Sequence, residues 1–167
     1  MSIRIVYYTR TGNTEEVVEK VLAALKPLGT HVHRVYAVRE YSSPLYINPR
    51  LWIDTLSSRR IEISIVPPFD PSDCTLLILA TPIWIGRPAP PMREFIERYA
   101  GRGFETVCIA TSHLGRGYAD KLRRLLESRG YRVALCIDVR ESFIDEESVR
   151  AIERIAKRVV ERHESQR

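Results

Sequence analysis

The sequence predicts an α/β fold in which helices cover both faces of a five-stranded parallel sheet, giving three layers. Two observations support this prediction. Short β-branched apolar runs alternate with longer amphipathic runs along all 167 residues, a pattern typical of parallel strands joined by helices. A hydrophobic content of 44% is sufficient for one core, so we predict a single domain over 1–167.

The first strand and helix are predicted over 3–8 and 14–26. The first run is β-branched and apolar, and the second has apolar residues at helical spacing and ends at Pro27 and Gly29. Between them lies a polar loop made of Thr9, Arg10, Thr11, Gly12, Asn13 and Thr14. Amides at a helix N-terminus have no intrahelical partner and lie at the positive end of the helix dipole. This loop is therefore a candidate phosphate site, the alternative being that Thr11 or Asn13 simply caps the helix.

The second strand is predicted over 31–38 and includes His31 and His33 on one face. Because no third ligand is nearby, we expect exposed or edge-strand histidines rather than a metal site. The segment 39–73 is irregular, with a short helix predicted from Pro49 to Ser58. Its Trp52 either covers the sheet edge or forms a subunit contact in a homo-oligomer, and the sequence leaves both alternatives open.

Three further strands are predicted over 75–80, 107–110 and 131–139, each followed by a helical pattern. Asp145 is the expected N-cap of the last helix. The doubly wound strand order 2-1-3-4-5 suits this alternation, and it brings the carboxyl ends of strands one, three and four to one ligand crevice. The loops after strands three and four contain Thr81, Pro82, Ile83, Trp84, Ile85 and Gly86 in one, and Ser112, His113, Leu114, Gly115, Gly117 and Tyr118 in the other.

The bulk composition excludes several classes of protein. The formal charge is +5, but the arginines are scattered, so nucleic acid is not an expected partner. No apolar run is long enough for a membrane span and none resembles a signal peptide, which predicts a cytoplasmic protein. The three cysteines, Cys74, Cys108 and Cys136, are expected to be buried inert thiols. Only Asn13, Asn48 and Gln166 carry side-chain amides, a depletion found in thermophile proteins.

The loop Thr9-Arg10-Thr11-Gly12-Asn13-Thr14 after a first strand resembles the phosphate loop of the flavodoxin family. The segment Thr81-Pro82-Ile83-Trp84 with Gly86 is similar to the second flavin-contacting loop, and Ser112 to Tyr118 resembles the third. The resemblance implies a flavodoxin-like fold, FMN as the cofactor and these three loops as its site. It also implies that Trp84 and Tyr118 lie against the two faces of the flavin ring. On this interpretation no side chain is catalytic and no metal is bound.

Two further predictions concern where side chains of these loops lie relative to the flavin. Trp84 is predicted to lie on an exposed loop against the flavin, the alternative being packing on the helix behind it. Short flavodoxins have acidic residues in the third loop, whereas this chain has His113 and Arg116. Arg87 and Arg116 are therefore expected to face the flavin and raise its reduction potential. His113 either donates a hydrogen bond to the ring or faces water.

The leading functional prediction is an FMN-binding electron-transfer protein that exchanges electrons with a redox partner protein. One alternative is an FMN-dependent NAD(P)H:quinone or flavin oxidoreductase, whose partners are a small quinone and a nicotinamide. Another is a flavin-free binding module of the same fold. Receiver and P-loop chemistry are disfavoured, because no acceptor aspartate follows strand three and no Gly-x4-Gly-Lys-Ser/Thr loop exists.

Overall fold

The structure, a computed structural model, describes residues 2–42, 44, 47–57 and 59–165. The first half comprises β1 (Ser2–Tyr7), α1 (Asn13–Leu25), β2 (Thr30–Ala37), α2 (Pro49–Leu56) and β3 (Ile63–Val66). The second half comprises β4 (Cys74–Trp84), β5 (Arg87–Pro88), α3 (Pro90–Arg98), β6 (Glu105–Ser112), α4 (Ala119–Ser128), β7 (Arg132–Arg140) and α5 (Glu146–Glu164). The predicted end of the second helix, Ser58, lies outside the described residues.

The strand order within these ranges is β3-β2-β1-β4-β6-β7, with β5 paired to β4. The five parallel strands β2, β1, β4, β6 and β7 reproduce the predicted order 2-1-3-4-5. The predicted strand count was too low, because β3 adds an antiparallel edge strand and β5 forms a short hairpin with β4. The sequence did not reveal β3, since its four residues lie inside the irregular segment 39–73.

Each face of the sheet carries its own hydrophobic core. On one face, Val17 and Val21 of α1 and Ile152 of α5 pack with the central strands. On the other face, Phe95 of α3 and Leu122 of α4 pack with residues of the same strands. Burial on both faces explains why the central strands read as continuous apolar runs. The predicted three-layer architecture is confirmed.

The histidines of β2 occupy different environments. His31 is exposed, but His33 is buried and β3 covers the edge of β2, so the expectation of exposed or edge-strand histidines was wrong for His33. Arg4 lies 3.2 Å from Nε2 of His33, and because a guanidinium only donates, Nε2 accepts. Nδ1 therefore carries the proton and donates to the Pro67 carbonyl at 2.8 Å. The ring is a neutral core group, and no cluster of metal ligands was found among the described residues.

Two of the three cysteines differ from the prediction. Cys108 and Cys136 are register partners on the adjacent strands β6 and β7, and they form a disulfide. Their separation of 28 residues in the chain concealed this proximity. Only Cys74 is a free thiol within the described ranges, and burial raises its pKa to about 12. A raised pKa keeps Cys74 in the thiol form, as predicted for an inert cysteine.

The apolar residues of α2 divide between core and surface. Leu51 is fully buried, whereas Trp52 is 40% exposed and Ile53 is 55% exposed. Sheet-edge cover and a subunit contact both stay predictions for Trp52. Within the described ranges, no helix combines the length and the apolar character that crossing a bilayer requires.

Candidate functional site

A crevice lies at the carboxyl ends of β1, β4 and β6, where the sequence places its three polar loops. Its volume is about 410 Å³. The lining residues from the predicted set are Thr9, Arg10, Thr11, Asn13, Thr14, Pro82, Ile83, Trp84, Ser112 and His113. The parallel sheet brings together loops that are about a hundred residues apart in the chain, so residues from all three predicted loops meet in one site.

The first loop turns at Gly12, which is the N-cap of α1. Gly12 has φ 98° and ψ −17°, a conformation that L-residues rarely adopt. Its amide donates to Oγ1 of Thr9 at 3.0 Å, which closes the loop upon itself. The Gly12 carbonyl accepts the first intrahelical bond, from Glu16. The amides of Asn13, Thr14 and Glu15 therefore have no hydrogen-bond acceptor within the helix.

The N-terminus of α1 differs from the other helix starts in the described part of the chain. No side chain caps α1. By contrast, Asn48 caps α2, and Asp145, the predicted N-cap, caps α5. The carboxylate of Asp138 accepts from two amides at the start of α4. Helix α3 begins with two prolines, which have no amide to donate. The amides at the start of α1 are thus the donors left for an anion in the crevice.

The alternative in which Thr11 or Asn13 caps α1 is not what the structure has, because α1 has no side-chain cap bond.

Thr14 is buried, and its hydroxyl lies 2.7 Å from the hydroxyl of Thr111 on β6. This contact joins the start of α1 to the end of β6. Thr111 lines the crevice but was missed by sequence reasoning, because the third loop was predicted to begin one residue later, at Ser112.

Trp84 does not lie on an exposed loop. It is the last residue of β4 and is 6% exposed, which corrects the prediction. Its indole packs edge-to-face on Tyr8 and on Tyr41, with ring centroids 5.7 Å apart in each pair. These aromatic contacts fix the tryptophan in the crevice wall. Its remaining exposed edge belongs to the crevice lining.

The second loop is a tight hairpin turn between β4 and β5. Its two central residues, Ile85 and Gly86, have φ 53° and 73°, the sign that a two-residue type I′ turn requires. A positive φ is unfavourable for a β-branched residue, and such strain is concentrated at functional sites. Ile85 and Gly86 do not line the crevice, but the hairpin that they form carries Ile83 and Trp84, which do.

The third loop is split between two regions. Ser112 and His113 line the crevice, and the Ser112 hydroxyl accepts from the amide of Gly115. Gly115 lies against Arg140, where a Cβ would approach the Arg140 Cβ to 2.4 Å, so only glycine fits. Leu114 is exposed. Tyr118 lies outside the crevice and lines a second cavity, so its predicted stacking position is not formed here.

The charges at the crevice differ from the expected ones. Arg87 donates to the carbonyls of Thr55 and Leu56 at the end of α2, so the prediction that it faces the crevice is wrong. Arg116 is exposed and does not line the crevice either. The lining cation is Arg10, whose Nε donates to the Tyr41 carbonyl at 3.1 Å.

Sequence reasoning also missed Glu141, which follows β7 and lines the crevice. Its φ of 53° marks a second strained non-glycine position. Its carboxylate lies 3.4 Å from Nδ1 of His113, so His113 faces a carboxylate at the crevice mouth. No signal in the sequence pointed to Glu141, because it belongs to the turn after the fifth parallel strand rather than to one of the three converging loops.

The fold is that of the flavodoxins, as comparison with solved structures shows. A flavoprotein of Lactobacillus acidophilus NCFM in complex with FMN superposes with a TM-score of 0.68 at 20% identity, covering 80% of this chain and 90% of that one. A flavodoxin of Streptococcus pneumoniae TIGR4 gives 0.58 at 18% identity over 97% and 99%. A flavodoxin from the domain Archaea gives 0.57 at 11% over 97% and 98%.

No protein-family model matches the sequence, and neither does any curated protein. At these identities the structural likeness establishes a flavodoxin-like fold.

Proposed function

We propose that this chain binds FMN in the crevice and serves as an electron-transfer flavoprotein. The observation that carries the proposal is the start of α1, where uncapped amides and threonine hydroxyls open into the crevice. A dianionic phosphate is the ligand chemistry that such a helix start favours. The FMN complex of the Lactobacillus acidophilus flavoprotein, which shares this fold, supports the choice of cofactor.

The residues present fit FMN. The phosphate would be held by amides of Asn13 and Thr14 and by the hydroxyl of Thr11, all at the crevice lining. The apolar edge of Trp84 and the backbone around Pro82 and Ile83 would border the ring. The flavin supplies the redox chemistry when bound, and the protein supplies binding, orientation and electrostatics.

Polar side chains at the crevice mouth would set the electrostatic potential around the flavin ring. Glu141 and His113 lie together there, and Arg10 is held at the crevice by the Tyr41 carbonyl. The side chain of His113 is largely exposed, so it lies between the crevice and solvent. The proposed partners are a redox protein or a small quinone or nicotinamide.

The phosphate requirement tests the proposal directly. FMN and riboflavin differ only by the phosphate. Titration of purified apoprotein with each, followed by flavin fluorescence, therefore measures what the phosphate contributes to the binding free energy. Charge-assisted hydrogen bonds contribute roughly 1.5–3 kcal/mol each. We expect riboflavin to bind roughly 150- to 25,000-fold more weakly, because about two such bonds total roughly 3–6 kcal/mol.

A matched pair of variants sharpens this test. Thr11→Val removes one hydroxyl from the proposed phosphate site. Thr30→Val removes a hydroxyl that donates to the Leu25 carbonyl, away from the crevice. Thr11→Val should weaken FMN binding roughly 10- to 150-fold, and Thr30→Val should not. Equal affinities for FMN and riboflavin would exclude a phosphate-binding role for the start of α1.

Turnover separates electron transfer from the reductase alternative. Rapid NADPH oxidation with a quinone acceptor and no partner reductase would identify an FMN-dependent oxidoreductase. Reduction that requires a separate reductase protein supports the electron-transfer function. If the protein binds no flavin by either the titration or its visible spectrum, the flavin-free binding module becomes the better description.

A further inference from the structure

We propose that a second cavity, between α3 and α4, binds a nucleoside phosphate, meaning a ligand with a flat base and at least two phosphate groups. The cavity has a volume of about 450 Å³, which is within the range of small-ligand sites. It lies on the other side of the β4–β5 hairpin from the crevice. This site is separate from the proposed FMN site and does not depend on it.

The cavity lining is strongly cationic. It contains two carboxylates, Glu94 and Glu97. Its six cations are Arg59, Arg60, Arg87, Arg93, Lys121 and Arg129. Arg60 pairs with Glu94 at 2.7 Å and Arg129 pairs with Glu97 at 2.7 Å. Within the described residues the other four cations have no carboxylate within ion-pair distance, which leaves an uncompensated positive field.

Two of these cations are held in fixed orientations by the end of α2. Arg87 donates to the Leu56 carbonyl at 3.1 Å, and Arg93 donates to the Thr55 carbonyl at 3.1 Å. Arg87 uses only its Nη1 in these bonds, so its Nε and Nη2 have no acceptor in the described ranges. Burial lowers the pKa of Arg93, which indicates that its charge lies away from full solvation. A phosphate is the partner that such oriented, uncompensated guanidinium groups favour.

The remaining walls suit a flat ring. Tyr118 lines the cavity, and Nζ of Lys121 lies 5.8 Å from the centroid of its ring. Leu122 and Leu125 of α4 provide apolar surface beside it. A base can stack on an aromatic ring while its phosphates reach the arginines, as in other nucleotide sites. The concave apolar floor favours a small molecule over an acidic protein surface.

The position of the cavity connects it with the crevice. Ile83 lines both spaces, and Gly86 of the hairpin lies beside Tyr118. A nucleotide in the cavity would therefore contact the same hairpin that borders the crevice. No local pattern in the sequence indicated this site, because its cations come from separate segments of the chain.

Isothermal titration calorimetry with ADP tests the proposal, using both the apoprotein and the FMN-saturated protein. We expect one ADP per chain in both forms, weakening as salt rises because the contacts are ionic. Adenosine, which lacks phosphate, and inorganic pyrophosphate, which lacks the base, should each bind at least tenfold more weakly. Binding of pyrophosphate as tight as that of ADP would overturn the assignment to a nucleotide.

Two variants on α4 provide the matched comparison. Lys121 lines the cavity, whereas Arg124 is exposed on the same helix and does not. Lys121→Glu should weaken ADP binding tenfold or more, and Arg124→Glu should change it less than twofold. Both variants should keep the FMN affinity of the parent, so loss of ADP binding is distinct from failure of the flavin site.

Three outcomes would refute the proposal: no heat with millimolar ADP, equal effects of the two charge reversals, or tighter binding of a hexaglutamate peptide than of ADP. The last result would identify the cavity as a docking surface for an acidic protein. Arg59→Glu gives a second, independent variant, because its side chain is exposed at the cavity rim.

Discussion

Replacing Gly12 by alanine tests whether the conformation at the start of α1 is needed for cofactor binding. Gly12 has φ 98° and no atom within 4 Å of an added Cβ, so the substitution introduces no clash. Gly29 offers a matched control, since it also has a positive φ, 65°, and open space around its Cβ position. It ends the 3-10 turn after α1, away from the crevice.

The two substitutions should cost similar stability for the same reason. A left-handed conformation costs an alanine about 1–2 kcal/mol relative to glycine. For a domain of this size, that lowers the melting temperature by roughly 2–8 °C. Only at Gly12 does relief of the strain rotate the amides that face the crevice. Loss of one charge-assisted bond, about 1.5–3 kcal/mol, corresponds to a roughly 10- to 150-fold weaker FMN affinity.

Thermal unfolding by circular dichroism and FMN titration of the same preparations measure both quantities. We expect Gly12→Ala and Gly29→Ala to melt at similar temperatures below the parent, with weaker FMN binding in Gly12→Ala alone. If Gly12→Ala binds FMN as tightly as Gly29→Ala does, the proposed role of the α1 start in holding phosphate is refuted.

The remaining predictions concern stability. Burial first, and then the Arg4 charge, lowers the pKa of His33 below its ordinary value, despite the opposing bond to Pro67. Since the unfolded chain then binds the additional proton, His33 stabilises the fold above about pH 6.5 and this contribution is lost as the pH falls. Urea unfolding from pH 5 to 7.5 should show that slope in the parent and in His31→Gln, and a reduced slope in His33→Gln; equal slopes in all three would contradict it. Asp138→Ala removes the carboxylate that accepts from the first amides of α4. It should cost about 1 kcal/mol in urea unfolding, and an unchanged midpoint would show that this cap does not stabilise α4.

The alternation of strands and helices was predictable because it follows from local patterns, and the order 2-1-3-4-5 is the doubly wound arrangement that suits this alternation. The runs over 3–8 and 75–80 are apolar apart from Arg4 and Thr75, a pattern typical of strands buried on both faces. The structure places these two runs in β1 and β4, which are buried on both faces of the sheet. The edge strand β3 was missed, because its alternating burial extends over only four residues.

Side-chain direction was less predictable than element order. Trp84 was expected on an exposed loop, yet it extends β4 and packs on Tyr8 and Tyr41. Tyr41 comes from the irregular segment 39–73, whose path no local pattern specifies. Arg87 was expected to face the flavin, yet its partners are carbonyls of α2, a helix more than thirty residues earlier.

The alternation of strands and helices and the polar loop from Thr9 to Thr14 could be predicted from the residues alone, because both depend on short-range spacing and backbone geometry. What lies opposite those elements depends on the packing of the folded chain. Long-range packing placed Glu141 beside His113, paired Cys108 with Cys136 across two strands, and gathered scattered arginines into one cavity. Such contacts depend on how separate segments pack together, which spacing along one chain does not encode.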